Sequence, residues 1–315
     1  MENLSVSYAP HIRTSRYIST TMQDVIIALL PALIGSVFFF GYRTLLVTAI
    51  SIIACVLSEY IWDKLTKKPN TIKDLSCVVT GLLLAMCLPP SVPCYIAAVG
   101  GIFAIIIVKC FYGGLGQNIV NPALAARAFL LACWPVAMTN WTVNGIDALS
   151  GPTPLAAIKA GTINPAPHID LFLGTNIGGS IGEVSALLLL IGGIYLIARK
   201  VITPTIPLTY ILTVGIFGFI FTKSGLFKGD FAYSILSGGV FLAGFFMATD
   251  YTTSPLTQKG QFVYALGAGL ITVIIRVWGS YPEGVTYAIL IMNIITPLID
   301  KVFVPKKFGE AVKAK

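Results

Sequence analysis

Long apolar runs separated by short polar segments form the main pattern of this sequence. Each run approaches the roughly 20 apolar residues that an α-helix needs to cross the hydrocarbon core of a bilayer. The runs lie at about 24–41, 43–62, 74–89, 93–111, 122–139, 181–198, 204–222, 231–249, 261–279 and 284–304. The pattern therefore predicts an all-α integral membrane protein with about ten transmembrane helices, of which the third is the shortest.

The composition agrees with this prediction. Of the 315 residues, 56% are hydrophobic and 11% are charged, and the mean hydropathy is +0.85. A water-soluble protein of this size does not need so many apolar residues with so few charges. The formal charge of +8 does not indicate nucleic-acid binding, because the basic residues are spread over short loops and the C-terminus without a basic stripe. The first apolar run follows a polar lead and precedes many others, so we expect a retained span and not a cleaved signal peptide.

The distribution of Lys and Arg predicts the orientation in the membrane. If the N-terminus is cytoplasmic, most of the 21 basic residues fall in cytoplasmic segments, as the positive-inside rule requires. Both termini are therefore expected in the cytoplasm, and the long segment 140–180 outside it. This segment separates a first half, residues 1–139, from a second half, residues 181–315, with five predicted spans each. Because five is odd, a duplication would be inverted in the membrane, and the glycine-rich segments 113–116 and 279–284 are a faint sign of one.

The cysteines and histidines do not indicate a metal site. The six cysteines include no C-x-x-C pair, and nearly all lie in apolar runs, where cysteine behaves as a small hydrophobe. His11 and His168 are the two histidines, and neither has a partner at ligand spacing. We therefore predict that the cysteines pack in the interior and that the protein builds no metal site of its own.

A single hydroxyl in the extracytoplasmic segment has unusual neighbours. Thr153 follows Ser150 and Gly151 and lies between Pro152 and Pro154. Proline fixes its own φ and disfavours helical backbone in the residue before it. Thr153 is therefore expected to be extended, with its side chain presented outward, where it can be modified. The alternative is an ordinary Pro-Gly turn.

Two polar motifs are predicted on the cytoplasmic side, and we expect them to form a pocket. Asn118 and Asn121 are three residues apart, and Pro122 suits the first turn of a helix. The second motif, 247–255, contains Asp250. Irregular polar backbone at membrane depth is tolerated only where it is buried in protein or lines a cavity. The alternative is that the asparagines and Asp250 only cap helix ends.

Charged residues in or beside the apolar runs need partners. Arg276, near the extracytoplasmic end of the ninth run, is expected either to face a cavity or to snorkel to the membrane surface. Arg127 is assigned to the cytoplasmic side. Glu283, on the extracytoplasmic side, is interpreted either as a hydrogen-bonding group of a pocket or as an exposed loop charge, and the exposed charge is the preferred interpretation.

Several motifs resemble those of the NqrB/RnfD family of membrane subunits, and they occur in the order that the family has them. They are Pro-His-Ile-Arg at 10–13, Gly-Gly-Leu-Gly-Gln-Asn-x-x-Asn-Pro-Ala-Leu at 113–124, Ser-Gly-x-Thr at 150–153, Phe-Phe-Met-Ala-Thr-Asp at 245–250 and Tyr-Pro-Glu-Gly at 281–284. NqrB chains are longer, so RnfD is the nearer branch. The resemblance implies an electron-carrying subunit of an Rnf complex in a prokaryotic cytoplasmic (inner) membrane. Such a complex is a translocase that moves electrons between ferredoxin and NAD and couples this to transport of Na⁺ or H⁺.

The resemblance also implies a covalent cofactor. FMN would be joined through its phosphate to Thr153, as a phosphoryl threonine, within the motif that includes Ser150 and Gly151. A separate flavin transferase would form the bond. Pro152 stands where the family usually has alanine, which bears on recognition by that enzyme. Arg276 would stabilise the reduced flavin or the phosphodiester.

A second cofactor and the partners follow from the same resemblance. Non-covalent riboflavin would bind at Asn118, Asn121 and Asp250. No residue is expected to be catalytic, because a flavin carries out the redox chemistry and the protein supplies placement and electrostatics. The partners would be the other Rnf subunits, the flavin transferase and the transported ion.

Two other functions are open at this point. Inverted five-helix repeats also build small-solute channels and transporters of the urea-transporter kind, and the chain is also compatible with a flavin-free scaffold for other redox subunits. A transporter would have a continuous pore and no flavin. Bound flavin therefore separates the first interpretation from both alternatives.

Overall fold

The computed structural model describes residues 17–141, 153–159, 166–175, 177–183, 185–222, 225–279, 281 and 283–304. The helices are α1 (Ile18–Phe40), α2 (Arg43–Thr66), α3 (Ser76–Met86), α4 (Cys94–Ile102), α5 (Pro122–Cys133), α6 (Pro135–Met138), α7 (Pro154–Lys159), α8 (His168–Leu173), α9 (Ala186–Ala198), α10 (Thr205–Ile220), α11 (Phe231–Leu236), α12 (Val240–Leu242), α13 (Gln258–Trp278) and α14 (Val285–Val302). A 3₁₀ turn covers Ile72–Asp74, and π-helical turns continue α4 over Phe103–Cys110 and α12 over Ala243–Met247. A short antiparallel hairpin joins β1 (Phe221–Thr222) to β2 (Gly225–Leu226).

Four helices, α1, α2, α13 and α14, are each long and apolar enough to cross a membrane. The shorter apolar helices α3, α4 with its π-helical turn, α5, α9 and α10 occupy five of the other predicted runs. Helices α11 and α12 lie within the remaining one. The prediction of an all-α membrane protein with several spans is confirmed. The number of ten spans, the inverted repeat, the limits of the two halves and the orientation stay predictions.

Local sequence sets where several helices begin. Asn121 accepts hydrogen bonds from the first amides of α5 through its side chain, and Pro122 occupies the first position of that helix. Ser185, Asp230 and Thr257 cap α9, α11 and α13 in the same way. Each of these side chains satisfies a donor that the first helical turn leaves without an intrahelical partner.

The helices pack around a shared apolar core. Helix α2 packs against α3 and α4, α10 against α11 and α13, α1 against α9, and α14 against α5 and α13. The α1–α9 contact requires a glycine, because a Cβ atom on Gly192 would overlap the carbonyl oxygen of Ala28. Tyr210 and Tyr264 are the largest of the fully buried side chains among the described residues.

Two runs are interrupted inside the protein. Helix α3 ends at Met86 in buried irregular backbone, and Ser237–Gly239 separates α11 from α12. A later segment satisfies the first interruption, because Ile181 N donates to Leu88 O at 3.0 Å and Gly182 N donates to Met86 O at 2.8 Å. The irregular backbone thus finds hydrogen bonds within the protein, as a membrane interior requires.

The cysteines largely follow the packing prediction. Four are buried, namely Cys55, Cys77, Cys87 and Cys110. Cys94 is half-buried and Cys133 is exposed, and all six are free thiols. Interior packing is therefore confirmed for four of the six.

Candidate functional site

Thr153 caps the start of α7. Its hydroxyl oxygen accepts a hydrogen bond from Ala156 N at 3.2 Å, and its carbonyl accepts one from Ala157 N at 2.9 Å. Only 3% of the residue is exposed. The expected outward presentation was therefore wrong: Pro154 begins a helix, and the threonine turns back to satisfy its amides. Ser150 and Gly151, the other members of the motif, lie outside the described residues.

A small niche of about 350 Å³ adjoins Thr153. Its polar lining consists of the side chains of Thr153, Glu183 and Glu283. The two glutamates come from other parts of the chain. Three glycines and several apolar side chains, among them Leu155 and Leu171, form the rest of the wall. We call this space the Thr153 niche.

A buried ion-pair cluster lies at the edge of the Thr153 niche. Arg127 Nη1 lies 2.9 Å from Glu183 Oε1, and Arg127 Nη2 bonds to Glu283. Ser180 Oγ donates to the second carboxylate oxygen of Glu183 at 2.8 Å. Both carboxylates and the guanidinium are almost fully buried. Such groups are stable away from water only when they are paired and hydrogen-bonded.

This cluster corrects two interpretations of the sequence. Glu283 is not an exposed loop charge, because its carboxylate is buried against Arg127. Arg127 was assigned to the cytoplasmic side, but it pairs with a residue that was assigned to the other side. Counting basic residues sorts loops between the two sides of a membrane, but it does not predict how far a side chain on a helix reaches.

Arg276 reaches the interruption between α11 and α12. Its Nη1 donates to Ser234 O at 2.8 Å and its Nη2 to Ser237 O at 3.0 Å. These carbonyls end α11, which has no further turn to satisfy them. The guanidinium is therefore held by backbone carbonyls of the protein, and the role of Arg276 toward a flavin stays a prediction.

A cavity of about 1100 Å³ adjoins α7, α10, α11 and α13. We call it the α7 cavity. Its wall is mostly apolar, with Leu155 and Ile158 from α7, and it includes Arg276 and Tyr233. Arg276 Nε and the Tyr233 hydroxyl are buried and make no hydrogen bond within the described part of the chain. A cavity with an apolar wall and a few convergent polar groups is typical of a cofactor site, and these residues fit a flavin ring.

A hydrogen bond between His168 and Asp230 borders the α7 cavity. His168 Nε2 lies 2.6 Å from Asp230 Oδ2, and Asp230 also caps α11. Burial opposes the charge on Asp230, but hydrogen bonds from Tyr233 N and from His168 outweigh it, so the pKa of Asp230 is lower than its ordinary value. Asp230 therefore stays ionised at neutral pH.

A second cavity, of about 780 Å³, lies beside the start of α5. We call it the α5 cavity. Asn118, Asn121 and Asp250 all line it, so the structure brings together the three residues that the sequence assigned to one pocket. Asn118 Nδ2 donates to Thr252 Oγ1 at 3.0 Å, which joins the two motifs directly. Phe245 and other apolar side chains form most of the remaining wall.

The three residues also stabilise the backbone around them. Asn121 caps α5, and its Nδ2 donates to Met247 O at 3.3 Å. Asp250 accepts hydrogen bonds from the hydroxyls of Thr252 and Thr253 at 3.0 and 3.3 Å. The capping alternative is therefore correct for Asn121, and the pocket interpretation is correct for the placement of all three.

Almost the whole chain matches a known protein family. The model of the NQR2, RnfD, RnfE family covers residues 5–309. The chain belongs to this family. The resemblance found in the sequence is thereby confirmed.

Individual relatives of the family are similar over their full length. The chain is 51% identical over 310 residues to the D subunit of the Na⁺-translocating ferredoxin:NAD⁺ oxidoreductase complex of Acetobacterium woodii, covering 98% of this chain and 96% of that one. It is 47% identical over 318 residues to the D subunit of the proton-translocating ferredoxin:NAD⁺ oxidoreductase complex of Clostridium ljungdahlii, covering 97% and 96%. It is 35% identical over 335 residues to the D subunit of the ion-translocating oxidoreductase complex of Halorhodospira halophila, covering 95% and 94%.

Sequence reasoning missed several residues of the Thr153 niche, the α7 cavity and the α5 cavity. Lys109, counted only as a topological charge, is buried beside the α5 cavity and lies 2.8 Å from Glu59. Glu183 and Tyr233 were not singled out. Lys109 and Glu59 lie in apolar runs, and a charge in such a run was a signal that a buried partner exists. Nothing in the sequence identified Tyr233.

Proposed function

We propose that the chain is the electron-carrying membrane subunit of an ion-translocating ferredoxin:NAD oxidoreductase complex. The observation that carries the proposal is the 51% identity, over 98% of the chain, to the D subunit of such a complex. On this proposal the protein is part of a redox-driven translocase and is not catalytic alone. Its partners are the other Rnf subunits of a prokaryotic inner membrane. Relatives named for Na⁺ and for protons are similarly close, and both ions are candidates for the one transported.

We further propose that FMN is joined through its phosphate to Thr153. The FMN phosphoryl group would come from a flavin dinucleotide: the threonine oxygen bonds to its phosphorus and loses its proton, the phosphoanhydride bond breaks, and the nucleoside monophosphate leaves. The product is a phosphodiester with one negative charge. Support comes from the hydroxyl's position, because Thr153 adjoins the Thr153 niche and begins the helix that lines the α7 cavity. Bound FMN would supply reversible electron transfer, and the residues of this chain would hold it and tune its electronics. On this proposal a flavin transferase makes the bond. That enzyme must accept Pro152, which stands where the family usually has alanine.

A second, non-covalent flavin is proposed in the α5 cavity. The wall of the α5 cavity is mostly apolar with a few polar groups, as small-molecule sites usually are. Asn118, Asn121 and Asp250 offer amide donors and carboxylate oxygens on a wall that is mostly apolar but also includes Lys109 and several hydroxyls. Such groups suit the polar edge of an uncharged isoalloxazine such as that of riboflavin.

The proposed architecture is ten spans in two inverted halves, residues 1–139 and 181–315, with segment 140–180 outside and both termini in the cytoplasm. Packing supports it. Helix α2 contacts α3 and α4 as α10 contacts α11 and α13, and α4 contacts α5 as α13 contacts α14. Helix α1 contacts α9, the first helix of the other half. Equivalent contacts in both halves are expected of a repeat.

Flavin content tests the proposal against a solute transporter and a flavin-free scaffold. The full-length chain is produced together with the flavin transferase, purified, denatured and run on a gel under ultraviolet light. A fluorescent band is expected for the wild type and for Thr175→Ala, an exposed threonine in the same part of the chain. No band is expected for Thr153→Ala, which should lose only about 1 kcal/mol from its helix cap. A wild type without a band would refute the covalent flavin.

A further inference from the structure

We propose that the α7 cavity holds the isoalloxazine ring of the flavin on Thr153, with the Tyr233 hydroxyl and Arg276 Nε as its hydrogen-bond donors. This inference rests on the proposed function and deepens it. It assigns a role to Tyr233, which no motif identified, and it selects one of the two cavities that border α7.

The position of α7 connects the attachment point to the cavity. Leu155 lines both the Thr153 niche and the α7 cavity, and Ile158 and Lys159 continue the cavity wall. Six residues of helix span about 9 Å, so this wall lies within the reach of a cofactor tethered at Thr153. A Cβ on Gly238 would lie 2.8 Å from Leu155 Cδ1 and 3.2 Å from a guanidinium nitrogen of Arg276. Leu155 and the Arg276 guanidinium thus both lie close to Gly238, which also lines the Thr153 niche.

Two donors in the cavity wall have no hydrogen-bond partner among the residues that the structure describes. Buried polar atoms in folded proteins are nearly always hydrogen-bonded. Tyr233 is only 5% exposed, and its hydroxyl makes no hydrogen bond within the described residues. Arg276 uses both terminal nitrogens on α11, while its Nε is buried without a partner there. A ligand that accepts hydrogen bonds in this cavity would satisfy both.

The charge of the wall indicates which ligand form is favoured. Arg276 carries a positive charge beside the cavity, and Lys228 lines it as well. The carboxylate of Asp230 also lines it, but that side chain is hydrogen-bonded to His168 and 49% exposed to solvent, which screens its charge. A flavin gains negative charge on its ring when it is reduced, and charge near the ring nitrogens tunes its potential. Arg276 would therefore stabilise the reduced form relative to the oxidised form.

A cavity on the other side of α7 is the competing location. Its volume is about 770 Å³, and Trp141, Tyr281 and Tyr287 contribute to its wall together with Ala156 of α7. None of its lining side chains has a buried polar atom without a partner in the described part of the chain. The α7 cavity is favoured for that reason, and Tyr287 serves as the control position.

Tyr233→Phe in two backgrounds tests the inference. In the Thr153→Ala background, which cannot carry the flavin, the substitution removes an unpaired hydroxyl, so the melting temperature should stay the same or rise. With the flavin attached, the same substitution breaks a hydrogen bond, so the melting temperature should fall and the flavin absorbance spectrum should shift. Tyr287→Phe should not shift that spectrum. Full-length protein is used throughout.

The flavin midpoint potential gives a second readout. Arg276→Lys keeps the charge and removes Nε, while Arg276→Gln removes the charge. We expect Arg276→Gln to weaken binding of the reduced ring about tenfold relative to the oxidised ring, which lowers a two-electron potential by about 30 mV. Arg276→Lys should lower it less. If the Arg276 variants do not fold, the Tyr233 comparison decides alone.

The outcomes separate this inference from the proposal beneath it. Absence of covalent flavin in the wild type overturns both. If covalent flavin is present on Thr153 but Tyr233→Phe changes the melting temperature equally in both backgrounds, only the placement of the ring in the α7 cavity is overturned. A spectral shift in Tyr287→Phe instead of Tyr233→Phe moves the ring to the other side of α7 and also overturns it.

Discussion

Arg127 and Glu183 form a buried ion pair 2.9 Å long, and they come from opposite halves of the sequence. Glu283, which precedes the last helix, bonds to the same guanidinium. One cation thus holds α5, the segment before α9 and the segment before α14. The cluster lies beside Thr153, so it supports the site where the flavin is proposed.

Removing this cation should destabilise the protein strongly. Arg127→Met leaves two buried carboxylates without their partner, and breaking such a pair typically costs about 3–5 kcal/mol. Thermal unfolding in detergent measures the loss. Arg199→Met is the control, because the Arg199 side chain is 56% exposed in its pair with Asp24 and exposed pairs contribute only about 0–1 kcal/mol. A similar melting temperature for the two variants would refute the structural importance of the cluster.

The pair between Lys109 and Glu59 should behave as a coupled unit. Lys109 is 2% exposed, and its ammonium donates to both carboxylate oxygens, at 2.9 and 2.8 Å, and to Ser76 Oγ at 2.6 Å. Each single variant, Lys109→Met or Glu59→Gln, leaves a buried charge or an unpaired group. The double variant should therefore lose less stability than the sum of the two, with a coupling of about 0.5–3 kcal/mol. Additive losses would show that the two side chains do not stabilise each other.

The cap and the ligand role of Asn121 can be separated. Serine is also a good helix cap, so Asn121→Ser combined with Asn118→Ala should keep the fold but remove the amide donors from the α5 cavity. We expect loss of the non-covalent flavin, measured by chromatography of the flavin released on denaturation. Thr257→Ala is the control, because it removes the cap of α13 at a cost of about 1 kcal/mol and should leave flavin content unchanged. Unchanged flavin in the Asn118 and Asn121 double variant would exclude this site.

Two glycine-to-alanine substitutions, at Gly192 and Gly267, should change the stability of the protein by different amounts or in opposite directions. A Cβ on Gly192 would overlap the backbone of Ala28, which cannot move without separating α1 from α9. Overpacking of this kind costs about 1–3 kcal/mol or more. A Cβ on Gly267 would meet Met292 Cε at 2.8 Å, the end of a flexible side chain that can move aside. Gly267→Ala should therefore be near neutral or gain up to about 1 kcal/mol from helix propensity, and equal thermal shifts in the two variants would contradict the close α1–α9 contact.

Several features of the fold could be predicted because their causes are local. Apolar runs of bilayer length predicted helices, since the backbone in a membrane must satisfy its own hydrogen bonds. Asn121 followed by Pro122 predicted the start of α5, because both the cap and the proline act within one turn. The meeting of Asn118 and Asp250 in one cavity followed from placing two broken polar motifs on the same side of the membrane.

Other features depend on contacts between residues far apart in the chain. Thr153 is buried beside residues far away in the chain, including Leu171, Glu183 and Glu283, and its flanking prolines carry no information about them. Arg127 and Glu283 form a pair because of how deep in the membrane each side chain lies along its helix or loop. A count of basic residues per loop does not give that depth.

The sequence by itself determined the membrane-embedded helical class, the family and three residues of the α5 cavity, because periodicity, composition and motifs are properties of neighbouring residues. The tertiary structure decided which charges pair, which hydroxyl is buried and which donors lack a partner. These depend on the three-dimensional positions of helices, and the energy of a buried polar group is set by whatever packing places within about 3 Å of it.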